Sequence, residues 1–381
     1  MRASYAMPFR QWNVLIKSGI LLLLFCLCET ATSDDLHNGS AASDKRPKIG
    51  LVLSGGGARG FAHIGVLKVL EANRVPIDYI VGTSMGSIIG GLYAIGLSPD
   101  EIEQGVKSIA WDKVFDDTAY RRYQTFRRKQ DDFDLFNIHR IGLTDKGIQL
   151  SPGLIEGQQI DLALDRLAYP GFHVNNYDEL RIPFRAVATD IETGKPFVIK
   201  NGNIARAMRA SMSIPGALPP ITIDGKLLVD GGIANNVPIN IARDMGADII
   251  IAVDVSAPLS DKKDIKSTVD VTAQLTTIMT RRIADVQLKT LKGQDILIVP
   301  KSKEISSSDF EMYPELIKAG EKAAKRKLRA IQKLSLPADA YSQYLKTLPV
   351  VAKKHPVIDY IEIKNETILD REMKGPHETG G

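Results

Sequence analysis

Gly82-Thr83-Ser84-Met85-Gly86 and, thirty residues upstream, Ser54-Gly55-Gly56-Gly57-Ala58-Arg59-Gly60 decide how this chain is read. The first stretch spells G-x-S-x-G, the pattern of a serine held on a sharp strand-to-helix turn with its hydroxyl exposed. Ile77 to Val81 before it has strand composition, and Ser87 to Ala94 after it can continue as a helix. The flanking Gly82 and Gly86 remove Cβ atoms from around a strained residue. The glycine loop follows another apolar strand, Ile49 to Leu53, and opens another helix. Its backbone N–H groups at Gly55, Gly56 and Gly57, beside a helix N-terminus, form a cradle for an oxyanion or a phosphate. A nucleophile and an anion cradle together point to acyl transfer.

Around these segments the chain alternates strands and helices. Strands are expected at 48–53, 77–81, 183–189, 196–200, 227–229 and 247–255. Helices are expected at about 60–73, 85–95, from the Ser98-Pro99-Asp100 cap to about 109, near 203–211 and over much of 321–334. Such alternation predicts an α/β fold, a mainly parallel sheet with helices on both faces. The 111–150 stretch is irregular, charged and aromatic, and reads as an insertion or lid. No internal repeat or low-complexity block interrupts the chain.

The 381 residues are 44% hydrophobic and 25% charged, which excludes the disordered and fibrous classes. Arg2, Arg10 and Lys17 precede the short apolar run Gly19 to Cys28 and the small polar residues Thr30 to Ser33, the layout of a secretory signal over residues 1–33. A signal anchor is the competing reading. A lipoprotein reading at Cys26 or Cys28 is weakened by the bulky Phe25 and Leu27. Both cysteines lie in this segment, so the processed chain would carry no disulfide, and its formal charge would fall from +4 to +2. That balance leaves no footprint for nucleic acid. Export to a bacterial periplasm, outer membrane or medium is expected. Residues 34–46 read as a polar linker, 47–335 as the catalytic domain with its motifs within 51–243, and 336–381 as an extension.

Gly55-x-Gly57-x-x-Gly60 also fits a dinucleotide fingerprint, but that reading needs an acid closing the second strand. Asp78 sits at the strand's beginning, the wrong end. A serine needs a base to take its proton, and the six histidines were weighed for that role. His37, His355 and His377 lie in polar end segments, and His139 and His173 in irregular, charged ones. His63, in the first turns after the glycine loop, reads better as a packing or supporting residue. A carboxylate is better placed. Asp230 ends a strand and precedes Gly231-Gly232, at a sheet edge where active sites form. On spacing alone, a base and a plain turn remain equally open for Asp-Gly-Gly.

Together the glycine loop, the Ser84 pentapeptide and Asp230-Gly231-Gly232 resemble the patatin-like phospholipases. The similarity extends through Arg209-Ala210-Ser211-Met212-Ser213-Ile214-Pro215-Gly216 and Asn235-Asn236-Val237-Pro238, over about residues 48–255. The resemblance implies a three-layer α/β/α fold and a Ser84–Asp230 dyad, with Ser84 as nucleophile and Asp230 as proton acceptor. It implies that Gly55, Gly56 and Gly57 donate to the oxyanion, and that fatty-acyl esters of phospholipids or lysophospholipids are cleaved without metal or cofactor. Arg59, Gly60, Gly82, Gly86, Gly231 and Gly232 would support these motifs; for Arg59, loop support or an anion contact is implied. Here the last motif is Asp-Gly-Gly where the family also has Asp-Gly-Ala.

Met85, Met212, Ile214 and Leu218 are candidates for an acyl groove. Trp111, Phe115, Phe126, Phe133 and Phe136, with Arg121, Arg122, Arg127, Arg128 and Lys129, are candidates for a membrane-facing lid. His355 to Asn365 alternates like a half-buried strand and looks like the first strand of a POTRA module, as in patatin-type autotransporters; a truncated relative or a surface strand are the two readings. Rival functions are a soluble carboxylesterase or thioesterase, and a non-catalytic envelope assembly protein that keeps the fold. Oligomeric state is not legible.

Overall fold

The computed structural model describes residues 46–115, 141–144, 147–150, 155–302 and 305–351. The expected signal segment, most of the 111–150 insertion, and the strand-like stretch after His355 lie outside them, as do Phe126, Phe133, Phe136 and the basic cluster Arg121 to Lys129.

One eight-stranded sheet organises the fold. Its parallel part runs in the order β10 (Ile296–Ile298), β9 (Ile249–Val253), β1 (Ile49–Leu53), β2 (Tyr79–Thr83), β5 (Phe184–Asp190). Three antiparallel strands complete it: β6 (Pro196–Ile199) and β8 (Lys226–Asp230) on β5, and β7 (Ile221–Ile223) on β8. A separate hairpin joins β3 (Ile141–Thr144) to β4 (Gly147–Leu150). The central strands are buried along their whole length and read as continuous apolar runs, as parallel strands covered on both faces must.

Alternation along these strands sorts the core into two layers. Ile49, Leu51, Leu53, Ile80, Ile251 and Val253 belong to the larger cluster, with α1 (Ala62–Ala72) and α2 (Met85–Ile95). The helices α3 (Pro99–Lys107), α4 (Gln158–Ala168) and α5 (Ile204–Ser211) add buried side chains to the same cluster. Val52, Val81, Ile250 and Ala252 point the other way, to α6 (Ile239–Asp244) and α7 (Thr268–Leu288). Helices therefore cover both faces, in the three-layer α/β/α arrangement expected.

The remaining major helices are α8 (Tyr313–Lys325), packed on α1, and α9 (Ala338–Thr347), whose Tyr344 hydroxyl donates to the Ile77 carbonyl at 2.6 Å. Ser98 and Glu101 form the capping box that starts α3, worth about 1 kcal/mol. Helices α4, α7 and α9 and the short strands β7 and β10 were not foreseen, and β2 sits two residues later than expected. That shift matters, because it places Ser84 directly after the strand.

The register on β5 positions the site. β2 pairs with Phe184 to Val187 and ends with Thr83 opposite Val187. β6 occupies the other edge of β5 over residues 186–189. β8, pairing with residues 188–190, must therefore lie on the same edge as β2, continuing its line from the opposite direction. Asp230 stands opposite Ala188, one step beyond Thr83. Two strands thus approach end to end, and the residues at the junction are Ser84 and Asp230.

Candidate active site

Ser84 has φ 52° and ψ −126°, a backbone region costing roughly 1–3 kcal/mol for a residue with a side chain. Its surroundings over-determine that geometry. The Ser84 N–H donates to Ser211 Oγ at 2.8 Å, and the Ser84 carbonyl accepts from the Ser87 N–H and hydroxyl. The flanking glycines are sterically required. A Cβ on Gly82 would lie 2.3 Å from the Gly86 carbonyl oxygen, and one on Gly86 would lie 2.2 Å from that of Leu53. The first N–H groups of α2 converge behind the serine, giving the turn a partial positive charge.

The Asp230 carboxyl is buried beside the Ser84 hydroxyl, and the Gly232 N–H donates to its Oδ1 at 2.7 Å. Burial raises its pKa to about 6, against the Ser84 hydroxyl and the Gly232 N–H, which pull it down. Asp-Gly-Gly is thus a turn whose carboxyl is buried next to Ser84.

Ser211 is the hinge of the arrangement. Its hydroxyl accepts from Ser84 and donates to the Val187 carbonyl at 2.5 Å, while its own carbonyl accepts from the Gly231 N–H. One residue on α5 thus ties the ends of β2, β5 and β8 together, its hydroxyl the first two and its carbonyl the third. Arg209, buried one turn away, donates to Ser213 Oγ at 2.7 Å and pairs with Asp161 at 2.9 Å. The Ser213 carbonyl in turn accepts from the Asp230 N–H.

The glycine loop lies against the serine: a Cβ on Gly55 would come within 2.9 Å of Ser84 Cβ. Gly55 N–H is already committed, donating to Asn236 Oδ1 at 3.1 Å, and the Asn236 amide returns a bond to the Gly55 carbonyl. Ala58 N–H is likewise bound to Ser307. Among the described residues the Gly56 and Gly57 N–H groups show no such partner outside the helix they open. Gly60 makes room for the Met85 side chain. Arg59 is buried, with Nε donating to the Ile305 carbonyl at 2.9 Å, which braces the loop against that segment.

His63 is fully buried and its Nε2 lies 2.9 Å from the Ser54 carbonyl, so Nε2 carries the proton. Burial drives its pKa down to about 4. It is a neutral prop under the loop. Asn235 adds another brace, its carbonyl accepting from Thr83 Oγ1 at 2.9 Å. Ser211, Asn235 and Asn236 lie in segments shared with the resembling family, yet their motifs name no task for these side chains. A buried hydroxyl or amide facing backbone groups leaves no pattern in one sequence.

Beside the site is a cavity of about 40 Å³ lined only by apolar side chains, among them Met85, Ile88, Leu164, Met212, Trp111 and Phe310. Trp111 stacks on Phe310 at 5.0 Å, and Phe115 approaches it at 4.7 Å. Of the four groove candidates, Met85 and Met212 line this cavity. Leu218 is instead core, and Ile214 is exposed. Among the described residues no cluster of His, Cys, Asp and Glu could hold a metal ion, and no helix is long and apolar enough to cross a membrane.

A serine on a strained strand-to-helix turn, a buried carboxylate beside it and a glycine loop alongside make an arrangement suited to acyl transfer. Residues 51–243 match the model of the patatin-like phospholipases, and the chain belongs to that family. A patatin-like phospholipase domain-containing protein of Caenorhabditis elegans is 37% identical over 55% of this chain and 14% of its own. The human patatin-like phospholipase domain-containing protein 6 is 36% identical over 58% and 14%. Lysophospholipase NTE1 of Mycosarcoma maydis is 30% identical over 72% and 14%. The chain thus spans about a seventh of the length of these relatives. Among solved structures, VipD from Legionella pneumophila aligns with a TM-score of 0.42 and 15% identity, covering 75% of this chain and 67% of that one.

Proposed function

We propose that this protein is a serine acyl hydrolase of phospholipase A or lysophospholipase type. The observation that carries the reading is the meeting of Ser84, at a strained turn, with the buried Asp230 carboxyl where β2 and β8 approach end to end on β5. Ser84 Oγ attacks the ester carbonyl carbon while Asp230 accepts the hydroxyl proton. Negative charge develops on the carbonyl oxygen and is met by the N–H groups of Gly56 and Gly57 and the positive end of α2. Gly55, its N–H held by Asn236, acts by setting the loop's distance from Ser84. Asp230 returns the proton to the departing alcohol, leaving an acyl-enzyme. Water, deprotonated by the same carboxylate, then releases the fatty acid and restores Ser84. No metal or cofactor takes part. A base with pKa near 6 is ionised at neutral pH yet basic enough to assist.

The apolar cavity beside Met85 and Met212 is the proposed start of the acyl site. The alternative within enzymes is a general carboxylesterase or thioesterase. Comparing rates on p-nitrophenyl butyrate and on phospholipid vesicles separates the two. The dyad is tested by fluorophosphonate labelling at Ser84 and by lipid-product profiles of the wild type beside Ser84→Ala and Asp230→Ala. Absence of labelling would remove the enzyme reading and favour a binding or assembly role. We also propose export, on the basic, apolar and small-residue succession of residues 1–33; a cytosolic, full-length chain on fractionation would reject it.

A further inference from the structure

Helix α7 carries an apolar face turned away from the protein. It follows β9 and leads back to β10, which is parallel to β9, so its N-terminus lies at the C-terminal edge of the sheet, where Ser84 and Asp230 meet. Arg281, paired with Asp254 just after β9, marks the level of that edge. Ala284, further along, is buried against the sheet. The turns before Arg281 thus extend past the edge by roughly 20 Å, at about 1.5 Å per residue. They are held there by the Gln274 amide, which exchanges hydrogen bonds with the Ser260 backbone.

On this overhang Val271, Leu275, Ile278 and Met279 are exposed, Leu275 by 57% and Met279 by 50%. With Val286 they fall within an arc of about 100° at 3.6 residues per turn, the width of stripe that normally packs on a core. Arg282 lies in the same arc, and Leu259 adds an exposed apolar side chain in the preceding loop. Between 261 and 292 there are seven Lys and Arg against four Asp. An apolar ridge fringed by cations, with long basic side chains able to reach upward beside it, complements an anionic lipid surface.

We propose that the exposed face of α7 docks this protein on anionic membranes, lying in the interface and bringing the site edge of the sheet to the lipid. The inference rests on the acyl-hydrolase reading for its purpose, but binding can be measured apart from catalysis. The full chain is tested with Leu275→Glu/Ile278→Glu and with Arg282→Glu/Lys289→Glu, against vesicles of phosphatidylcholine with and without phosphatidylglycerol. The apolar pair should weaken vesicle binding and vesicle hydrolysis at least tenfold, roughly the effect of losing two buried aliphatic side chains. Hydrolysis of p-nitrophenyl butyrate should stay within about twofold, since neither residue is part of the site. The basic pair should lose only the preference for phosphatidylglycerol, in a salt-sensitive way.

Unchanged vesicle binding by the apolar pair would overturn the proposal. So would a wild-type dimer that the same pair splits with no effect on vesicles, which would assign the face to a second copy. Binding is read on Ser84→Ala as well. Vesicle binding by a protein inert on every ester would sink the acyl-hydrolase reading and leave the docking face standing.

Discussion

The two strand ends that meet on β5 solve opposite problems. β2 belongs to the parallel part of the sheet and runs into a full helix, so Ser84 receives the positive end of α2 and a positive φ. β8 belongs to the antiparallel part and ends in Asp230, Gly231 and a single helical turn, Gly232–Asn235. No long helix stabilises a charge there, and burial raises the carboxyl's pKa to about 6. The nucleophile's side stores its tension in backbone geometry, and the base's side stores it in electrostatics. The two can be relieved independently, which makes the comparison testable.

The largest effect is expected at the nucleophile. Ser84→Ala should abolish fluorophosphonate labelling and lower ester turnover by roughly 10⁴-fold or more. Ser84→Gly should be equally inactive yet more stable than Ser84→Ala by about 1 kcal/mol in urea titration, since only glycine accepts φ 52° freely. Equal stabilities would mean the turn is unstrained.

Asp230→Asn should cost about 10³-fold in turnover and raise stability at pH 7–8, by on the order of 1–3 kcal/mol. The sign follows from burial. The folded carboxyl titrates near 6, above the ordinary 3.8, so the folded state holds the extra proton between those values and stability falls as pH rises through them. The advantage of Asn should therefore be full above pH 6 and vanish near pH 4. Wild-type kcat/KM should climb through pH 6 as the base ionises. A flat profile from pH 5 to 8 would contradict that titration.

Next come the paired glycines after Asp230. A Cβ on Gly231 would sit 2.0 Å from the Val187 carbonyl oxygen, a backbone atom of β5. One on Gly232 would meet only side-chain oxygens, at 2.9 Å from Asp230 and 3.0 Å from Asn236. Gly231→Ala should destabilise by about 3 kcal/mol, whereas Gly232→Ala should fold with near-normal stability and a modest loss of rate. Similar melting temperatures for the two would refute this asymmetry.

Ser211→Ala leaves the Ser84 N–H without its acceptor and should cost about 1–3 kcal/mol of stability. Turnover should drop about tenfold, through kcat more than KM, because the serine is misplaced and substrate contacts are not.

Much of this was legible in the chain itself. The order of strands and helices around 49–95 follows from apolar runs broken by glycines, and helix Met85–Ile95 falls where the pentapeptide places it. No histidine stands in a catalytic pattern in the sequence, and His63 is buried and neutral. The placement of Asp230 beside Ser84 was suggested by resemblance and not by spacing. It depends on the pairing of β5 with both strands, a long-range register that local pattern does not carry. Capture of the Gly55 N–H by Asn236 was invisible for the same reason, since the two are 181 residues apart. The apolar residues of α7 recur at helical spacing like a core-facing stripe, and local pattern does not carry the fact that they face outward.

Ser84 and Asp230 are both indexed from one strand, so β5 works as a ruler for the site. The loops that leave and return to it can lengthen or shorten without altering the serine–carboxylate separation, provided that α5 keeps Ser211 against the strand ends. A one-residue slip of β8 along β5 would move Asp230 by about 3.3 Å and break the pair. Insertions are thus tolerated in the connecting loops and excluded from β5 (Phe184–Asp190), β8 (Lys226–Asp230) and α5 (Ile204–Ser211), and it is there that the chain's capacity to diversify its substrates without rebuilding its chemistry is anchored.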